Sequence, residues 1–237
     1  MSSRNSPAGN QPANPTWQDV ARIIDHTNLR PEATAAQIIR LCEEAREFGF
    51  GAVMVNSCHV ALAHSHLQGS GVTVGAVVGF PLGAALTSVK QFESAEALRL
   101  GAREIDMVIN IGALKAGDRE LVLSDIQGVA KVVHEQGALL KVILETVLLT
   151  DEEKLAACEI SENAGADFVK TSTGFLGGVA TVEDVALMRR AVKIGVKASG
   201  GIRSASDARA MIAAGANRLG TSSGVTIIRE MREGGGK

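Results

Sequence analysis

The feature that most restricts the fold of this 237-residue chain is a series of eight short apolar runs separated by helix-like stretches. Runs that are apolar throughout are typical of parallel strands covered on both faces. An eightfold alternation of strand and helix over about 220 residues predicts one closed (β/α)₈ domain, a TIM barrel. An open doubly wound sheet is the alternative, but it usually carries a glycine-rich loop after its first strand, which is missing here. The predicted strands are Ile23–Thr27, Ala52–Asn56, Val72–Gly79, Glu104–Asn110, Leu139–Glu145, Asp167–Thr171, Gly195–Ala198 and Asn217–Thr221.

Local signals support the helices between these strands. Glycine is common just past a helix C-terminus because it tolerates positive φ, and a Gly-Ala pair precedes five of the runs. These pairs begin at Gly51, Gly101, Gly137, Gly165 and Gly215. Helix starts are predicted by capping-box spacing at Thr34-x-x-Gln37, Ser88-x-x-Gln91 and Thr150-x-x-Glu153, and by single caps at Thr181 and Ser204.

Composition sets the limits of the domain and its partners. Residues 1–16 hold three of the five prolines and little apolar surface, so we expect a flexible tail, a barrel at 17–230 and a frayed end at 231–237. With 24 basic and 26 acidic residues, the chain has no electrostatic reason to bind nucleic acid or an anionic membrane. It shows no membrane span and no secretory signal, and its three scattered cysteines suit a reducing compartment. We therefore expect a cytoplasmic protein.

Two lysines each close one of the predicted strands, Lys170 before Thr171-Ser172-Thr173-Gly174 and Lys197 before Ala198-Ser199-Gly200-Gly201. In a barrel both amines would reach the mouth at the strand C-termini, where active sites of this architecture lie. A free lysine has a pKa of about 10.4. A second cation roughly 4 Å away, at an effective dielectric of about 20, costs its charged form about 4 kcal/mol, or about three pKa units. The pair therefore indicates Schiff-base chemistry.

Asp106 adds a carboxylate near the end of the fourth predicted strand. A lone strand-end aspartate is more often a cap, and a lone lysine is more often solvated. Three such groups from three strands at one rim favour a catalytic set instead. From the residues alone, Lys170 and Lys197 are equivalent candidates for the nucleophile.

Glycines and small hydroxyls follow the seventh and eighth strands and predict a phosphate site. Ser199-Gly200-Gly201-Ile202 comes after one strand and Gly220-Thr221-Ser222-Ser223-Gly224 after the other, with Thr173-Gly174 extending the set. Barrels often bind phosphate with these two loops, because glycines let backbone amides approach an anion. Either loop alone would be read as a simple turn.

A metal site is the alternative way to polarise a carbonyl, and the histidines test it. His59, His64 and His66 cluster after the second strand but lack the i,i+4 spacing of two ligands on one helix face. We read them as solvated side chains and expect neither a metal nor another cofactor. Glu145, at the end of the fifth strand, is a rim carboxylate without an assigned role.

These segments together resemble the deoxyribose-phosphate aldolase family, class I aldolases with a (β/α)₈ fold. The likeness runs from about Ile23 to Ile228, and the combination of Lys-Thr-Ser-Thr-Gly with Lys-x-x-Gly-Gly is highly specific. The matching segments are Ile24–Thr27, Glu104–Asn110, Leu140–Thr146, Ala166–Gly174, Val196–Arg203 and Gly220–Ser223.

The resemblance implies reversible, metal-free cleavage of 2-deoxy-D-ribose 5-phosphate to acetaldehyde and D-glyceraldehyde 3-phosphate. It makes Lys170 the Schiff-base lysine, Lys197 the neighbouring cation and Asp106 a partner in proton transfer with bound water. It places Asp25 and Thr173 near the sugar hydroxyls. The phosphate-binding residues that it implies, with Gly174 added from the loop pattern, are Gly174, Gly200, Gly201, Gly220, Ser222 and Ser223.

Three departures from the family pattern are visible. Phe175 stands where some members carry a phosphate-side lysine, and the chain has no tyrosine to assist proton transfer. Met54 occupies the position of a reactive cysteine found in some members, while Cys58 lies farther along, so we expect greater tolerance of aldehydes.

Two other functions remain open at this point. One is a different Schiff-base lyase or transaldolase, and the other is a phosphosugar-binding barrel without catalysis, although binding alone has no use for a buried amine pair. The resemblance implies small-molecule phosphosugar and aldehyde substrates and a homo-oligomer, a dimer or tetramer. No exposed apolar stripe that would mark the interface can be read from the sequence.

Overall fold

The computed structural model describes residues 15–234, and these form a closed barrel of eight parallel strands. Each strand pairs with its neighbours in chain order, and β1 pairs with β8 to close the ring. The (β/α)₈ prediction is confirmed. The strands are β1 Ile24–Asn28, β2 Ala52–Val55, β3 Thr73–Val78, β4 Glu104–Val108, β5 Leu139–Ile143, β6 Phe168–Lys170, β7 Gly195–Ser199 and β8 Arg218–Thr221.

Helices surround the barrel and connect its strands. Within the described residues they are α1 Trp17–Arg22, α2 Ala35–Phe48, α3 Val60–Leu67, α4 Thr87–Arg99, α5 Ile111–Lys115, α6 Arg119–Glu135, α7 Asp151–Asn163, α8 Val182–Ala191, α9 Ala205–Ala213 and α10 Gly224–Gly234. Short 3₁₀ turns lie at Ser57–His59 and Thr146–Leu148. None of the helices in this part of the chain has the length and apolar character that a membrane span requires.

Most predicted helix starts are confirmed. Thr34 and Thr150 form full capping boxes, and Ser204 forms one with Asp207 that the sequence pattern had not shown. The box predicted at Ser88 is wrong, because α4 begins at Thr87 and its N-cap is Leu86, two residues before Ser88, without a side-chain bond. In place of a cap, the Thr87 hydroxyl bonds Asp125 of α6.

Four of the five Gly-Ala pairs have a glycine with positive φ, as a helix end requires. Gly51 differs. Gly49 provides the left-handed cap of α2, and Gly51 instead lies so close to α1 that an added Cβ would stand 2.3 Å from the Arg22 carbonyl oxygen. Close backbone packing, not helix termination, requires glycine there.

The structure describes parts of both segments that the sequence predicts to be flexible or frayed. Residues 1–14 and 235–237 lie outside the described residues. Thr16, expected in the flexible tail, caps α1, and residues 231–234, expected to fray, continue α10 with the Met231 side chain buried. An apolar contact with the core holds this last turn in the helix.

Alternation along the strands separates an apolar layer from a charged interior. Ile105, Val142 and Val196 belong to the apolar cluster that the strands share with the surrounding helices. Their neighbours in sequence include Asp106 and Lys197, which are also buried but bond one another instead. Because successive side chains of a strand point to opposite faces, each run supplies both layers.

Candidate active site

Strand register brings the two predicted lysines side by side. Lys170 of β6 pairs directly with Lys197 of β7. Both side chains are buried, with 2% and 0% of their surface exposed. The structure therefore brings the two predicted amines together within one barrel.

Asp106 lies at the centre of the charged interior. Its Oδ2 accepts hydrogen bonds from the ammonium groups of Lys170 at 2.9 Å and Lys197 at 2.8 Å. Its Oδ1 accepts one from Lys141 at 2.8 Å. Burial by itself would raise the pKa of Asp106, but the three lysines outweigh it and hold that pKa well below its usual range.

Asp25 links this cluster to Arg218. Its carboxylate accepts hydrogen bonds from Lys197 and from the Arg218 guanidinium, whose Nε lies 2.9 Å from Oδ1. Burial would raise the pKa of Asp25, but Arg218 and Lys197 hold it below its usual range. Both carboxylate oxygens are thus engaged in ion pairs inside the barrel.

Sequence reasoning missed three members of the network. Glu104 accepts hydrogen bonds from Lys141 at 2.5 Å and from Arg218 at 2.9 Å. Glu104 and Asp106 alternate along β4, and Lys141 interrupts the apolar run of β5, so alternation could have marked both as inward-facing. Arg218 begins β8 beside Lys197, a position that only the barrel register reveals.

The network contains one more basic group than acidic groups. Its members are Lys141, Lys170, Lys197 and Arg218 on one side and Asp25, Glu104 and Asp106 on the other. Lys141, Lys197 and Arg218 each contact at least two carboxylates, whereas among residues 15–234 Lys170 contacts that of Asp106 alone. Lys170 is therefore the basic group of the network with the fewest carboxylate partners.

The pKa of Lys170 follows from this arrangement. Burial is the largest cause and lowers the pKa; Asp106 opposes it, and the cation of Lys197 adds to it, so that the pKa falls to about 8. The sequence had suggested the neighbouring cation as the main cause. The structure places desolvation first, because the amine is enclosed within the barrel and has one carboxylate partner.

A cavity of about 610 Å³ opens beside the ends of β6, β7 and β8. Thr173, three residues beyond Lys170, lines it. Of the predicted phosphate residues, those that line it are Gly174, Gly200, Gly201, Gly220 and Ser222. Ser223 comes next in the chain, directly before α10, and donates its backbone N–H to the Thr221 hydroxyl at 2.8 Å.

Glycine is required at two points of this wall. Gly200 and Gly201 have φ values of 101° and 76°, which other residues rarely adopt. At Gly220 an added Cβ would stand 2.6 Å from the Ser199 hydroxyl oxygen. Glycine at 200 and 201 is thus required by backbone conformation, and glycine at 220 by close packing against the Ser199 side chain.

Cavity-lining residues outside the prediction add charge and an aromatic contact. Arg30, Arg40 and Arg203 line the same cavity. Phe175 stands where some members of the family that this sequence resembles carry a lysine. Its ring packs edge-to-face on Phe80, with ring centroids 5.1 Å apart. Guanidinium groups are thus available near the cavity although Phe175 is apolar.

Met54, which stands at the position of a reactive cysteine in some family members, is buried with the rest of β2. Cys58 is exposed on the 3₁₀ turn after that strand. His59 belongs to that turn, and His64 and His66 belong to α3, in the outer helical layer. Between residues 15 and 234, no three side chains of His, Cys, Asp or Glu gather in the way that metal ligands do.

The fold and this site define a (β/α)₈ barrel enzyme with a buried lysine that is paired with one carboxylate. The cavity at the strand ends is lined by Thr173 and the glycine turns, and Lys170 itself does not line it. Residues 20–231 match the model of the family described as "DeoC/LacD family aldolase", and the chain belongs to that family. It is an enzyme, a carbon–carbon lyase.

Individual relatives agree over most of the chain. The deoxyribose-phosphate aldolases of Thermococcus gammatolerans and Thermococcus kodakarensis are each 59% identical, covering 90% and 89% of this chain and 97% and 96% of their own length. Among solved structures, the Aeropyrum pernix deoxyribose phosphate aldolase has a TM-score of 0.86 at 35% identity, and covers 92% of both chains. The aldolase QR15 has a TM-score of 0.86 at 43% identity, covering 91% of this chain and 96% of its own.

Proposed function

We propose that this enzyme cleaves 2-deoxy-D-ribose 5-phosphate reversibly to acetaldehyde and D-glyceraldehyde 3-phosphate through a Schiff base on Lys170. The observation that carries the proposal is the buried Lys170 amine, with a pKa of about 8 and one carboxylate partner. At pH 7 about a tenth of such an amine is neutral and able to attack a carbonyl. The names of the Thermococcus relatives support the choice of substrate.

The reaction begins when the neutral Lys170 amine attacks the C1 aldehyde of the open-chain sugar. Loss of water from the carbinolamine gives a protonated imine, which withdraws electrons from the C2–C3 bond. Removal of the C3 hydroxyl proton lets that bond break, which releases D-glyceraldehyde 3-phosphate and leaves an enamine on the lysine. Protonation of the enamine at C2 and hydrolysis of the imine release acetaldehyde and restore the amine.

Asp106 and Lys197 are the groups nearest to Lys170 for moving these protons. The Asp106 carboxylate bonds both amines through one oxygen. Water held by this pair would carry the proton to and from the substrate, since the chain has no tyrosine to do so. Lys197 also provides the charge that keeps the Lys170 proton labile.

Substrate binding would use the cavity above the network. Backbone amides of Gly174, Gly200, Gly201 and Gly220, with the hydroxyls of Ser222 and Ser223, would hold the phosphate next to the N-terminus of α10. Thr173 and Asp25 would lie near the sugar hydroxyls. Asp25 already bonds Lys197 and Arg218, so its contact with substrate would come on top of those ion pairs.

A homo-oligomer, either a dimer or a tetramer, is part of the proposal. The relative from Aeropyrum pernix is described as tetrameric. Supporting this, one face of this chain is apolar and exposed: Leu86, Val89 and Phe92 follow at three-residue steps along the start of α4, with Leu82 just before them. Phe92 is 69% exposed, which is unusual for a large aromatic side chain.

Free thiols at all three cysteines suit the expected cytoplasmic location.

Trapping the imine tests the proposed chemistry. Incubation with acetaldehyde and borohydride, followed by peptide mapping, is expected to place an ethyl group on Lys170 and to inactivate the enzyme. Lys170→Met should neither be labelled in this segment nor cleave the sugar phosphate. A protein that shows no adduct would be a sugar-phosphate binder, and an adduct without cleavage of deoxyribose 5-phosphate would indicate a different Schiff-base lyase.

A further inference from the structure

Glu145 has an unusual backbone conformation. In the chain between residues 15 and 234, it is the only residue other than glycine with positive φ, at φ 59° and ψ 64°. This left-handed conformation costs a residue with a side chain about 1–2 kcal/mol. The side chain is fully buried at the end of β5, beside the barrel mouth. The surrounding structure must therefore hold Glu145 in place.

The carboxyl group of Glu145 binds the loop that follows the Schiff-base strand. Its Oε2 accepts the backbone N–H of Thr173 at 3.0 Å and the Thr173 hydroxyl at 2.5 Å. The same hydroxyl oxygen accepts the N–H of Phe175 at 3.1 Å. Gly174 lies between these two anchored residues. The orientation of its amide, a candidate phosphate donor, thus depends on Glu145.

The same carboxyl group also faces a second point of that loop. Oε1 is buried and has no hydrogen-bond partner in the described part of the chain, and a Cβ added at Gly178 would stand 2.9 Å from it. Two residues later, the Ala180 N–H donates to the Gly200 carbonyl oxygen at 2.9 Å. The segment 171–181, here called the β6 loop, therefore rests on Glu145 and supports the glycine turn after β7.

We propose that Glu145 is a positioning residue that fixes the β6 loop and, through it, both sides of the phosphate cradle. The inference rests on the proposed function, because it assigns the phosphate-binding role to the cavity. Glu145 does not reach substrate in this scheme. It acts through Thr173 on Gly174, and through the path from Gly178 to Ala180 on Gly200.

Two variants distinguish the effect of the Glu145 hydrogen bonds from the effects of its side-chain volume and its strained backbone. Glu145→Gln keeps the length of the side chain and one carbonyl oxygen that can accept both bonds from Thr173. Glu145→Asn is one methylene shorter, so it loses those bonds, yet asparagine tolerates the left-handed backbone well. Glu145→Asn therefore removes the bonds to Thr173 without adding backbone strain, whereas Glu145→Gln keeps those bonds.

The readout compares a phosphorylated substrate with one that lacks phosphate. For Glu145→Asn we expect KM for deoxyribose 5-phosphate, and the inhibition constant of inorganic phosphate, to rise about tenfold through loss of bonds that order the loop. The kcat value should change less than about twofold, as should all constants of Glu145→Gln. Cleavage of unphosphorylated 2-deoxyribose should fall by about threefold at most, because it depends on the contact of Thr173 with the sugar hydroxyls but not on the phosphate cradle. A purely structural role would lower the activity on both substrates together.

An unchanged KM and inhibition constant in folded Glu145→Asn would overturn the inference, and so would an equal loss on both substrates. If Glu145→Asn does not fold, Gly178→Ala decides, because its methyl group would press on Oε1 and on Val147 at 2.9 Å. An unchanged KM in Gly178→Ala would then overturn the inference. Failure of the proposed function is a separate result, since borohydride trapping on Lys170 depends on acetaldehyde and involves no phosphate.

Discussion

Removing the charge of Lys197 should restore an ordinary pKa to the Schiff-base lysine. In the intact network four basic side chains face three acidic ones, so a proton on Lys170 leaves one uncompensated charge inside the barrel. Lys197→Met reduces the basic groups to three. When Lys170 is protonated in this variant, three positive charges balance three negative ones. Loss of that proton leaves one carboxylate charge uncompensated.

The size of the effect follows from the geometry. The Lys170 and Lys197 nitrogens lie 2.9 and 2.8 Å from the same oxygen of Asp106. At a separation of roughly 5 Å and an effective dielectric of about 20, their repulsion is about 3.3 kcal/mol, or about 2.4 pKa units. Burial, which lowers the pKa, and the Asp106 carboxylate, which raises it, both remain in the variant and oppose each other. Loss of the Lys197 charge should therefore raise the pKa of Lys170 from about 8 to about 10.4, and the neutral fraction at pH 7 should fall about 200-fold.

The assay is the rate of imine formation with acetaldehyde, trapped by borohydride and measured from pH 6 to 10.5. Wild-type protein should show a midpoint near pH 8, whereas Lys197→Met should be about 200-fold slower at pH 7 and within about fourfold at pH 10. As a control, Lys197→Met with Asp25→Asn removes one group of each sign and should return the midpoint toward pH 8. A midpoint that stays near pH 8 in Lys197→Met alone would refute the charge-balance reasoning.

Three other predictions concern the buried lysine and the cysteines. The folded-state pKa of Lys170 is about 8 against an ordinary 10.5. Because the unfolded chain binds more protons in that window, the stability of the wild type relative to Lys170→Met should rise by about 3 kcal/mol between pH 8 and 10.5, measured by urea unfolding. A difference that is constant with pH would contradict this. For the thiols, iodoacetamide should label exposed Cys58 quickly and the two buried cysteines slowly, because burial raises their pKa values to about 11 and about 12. Cys58→Ser should leave resistance to acetaldehyde unchanged, and a marked gain in resistance would show that Cys58 is the reactive group.

The architecture could be read from the chain because parallel strands covered on both faces are apolar along most of their length. The predicted strand from Leu139 thus contains β5, and the predicted strand from Glu104 contains β4. The positions of the strand ends were predicted less accurately. Asn110, predicted to end a strand, is the N-cap of α5. Its side chain accepts the Ala113 N–H, a local bond that competes with strand pairing.

The site was predicted only in part, for a geometric reason. Lys170, Lys197 and Asp106 were recognised because each lies near the end of an apolar run. Lys141 and Arg218 were not, because a charged residue within or at the start of a strand can face either layer until the barrel closes. Register then places Lys141 beside Asp106 and Arg218 beside Lys197.

The sequence by itself determined an eight-stranded barrel, two amines and one carboxylate at its mouth, and glycine turns after the last two strands. It could not distinguish Lys170 from Lys197, since both occupy similar positions in similar segments. Only the tertiary structure made them unequal, by giving Lys197 two carboxylate partners and Lys170 one. The physical reason is that charge balance depends on how many opposite charges meet in a buried volume, and strands far apart in sequence supply those charges.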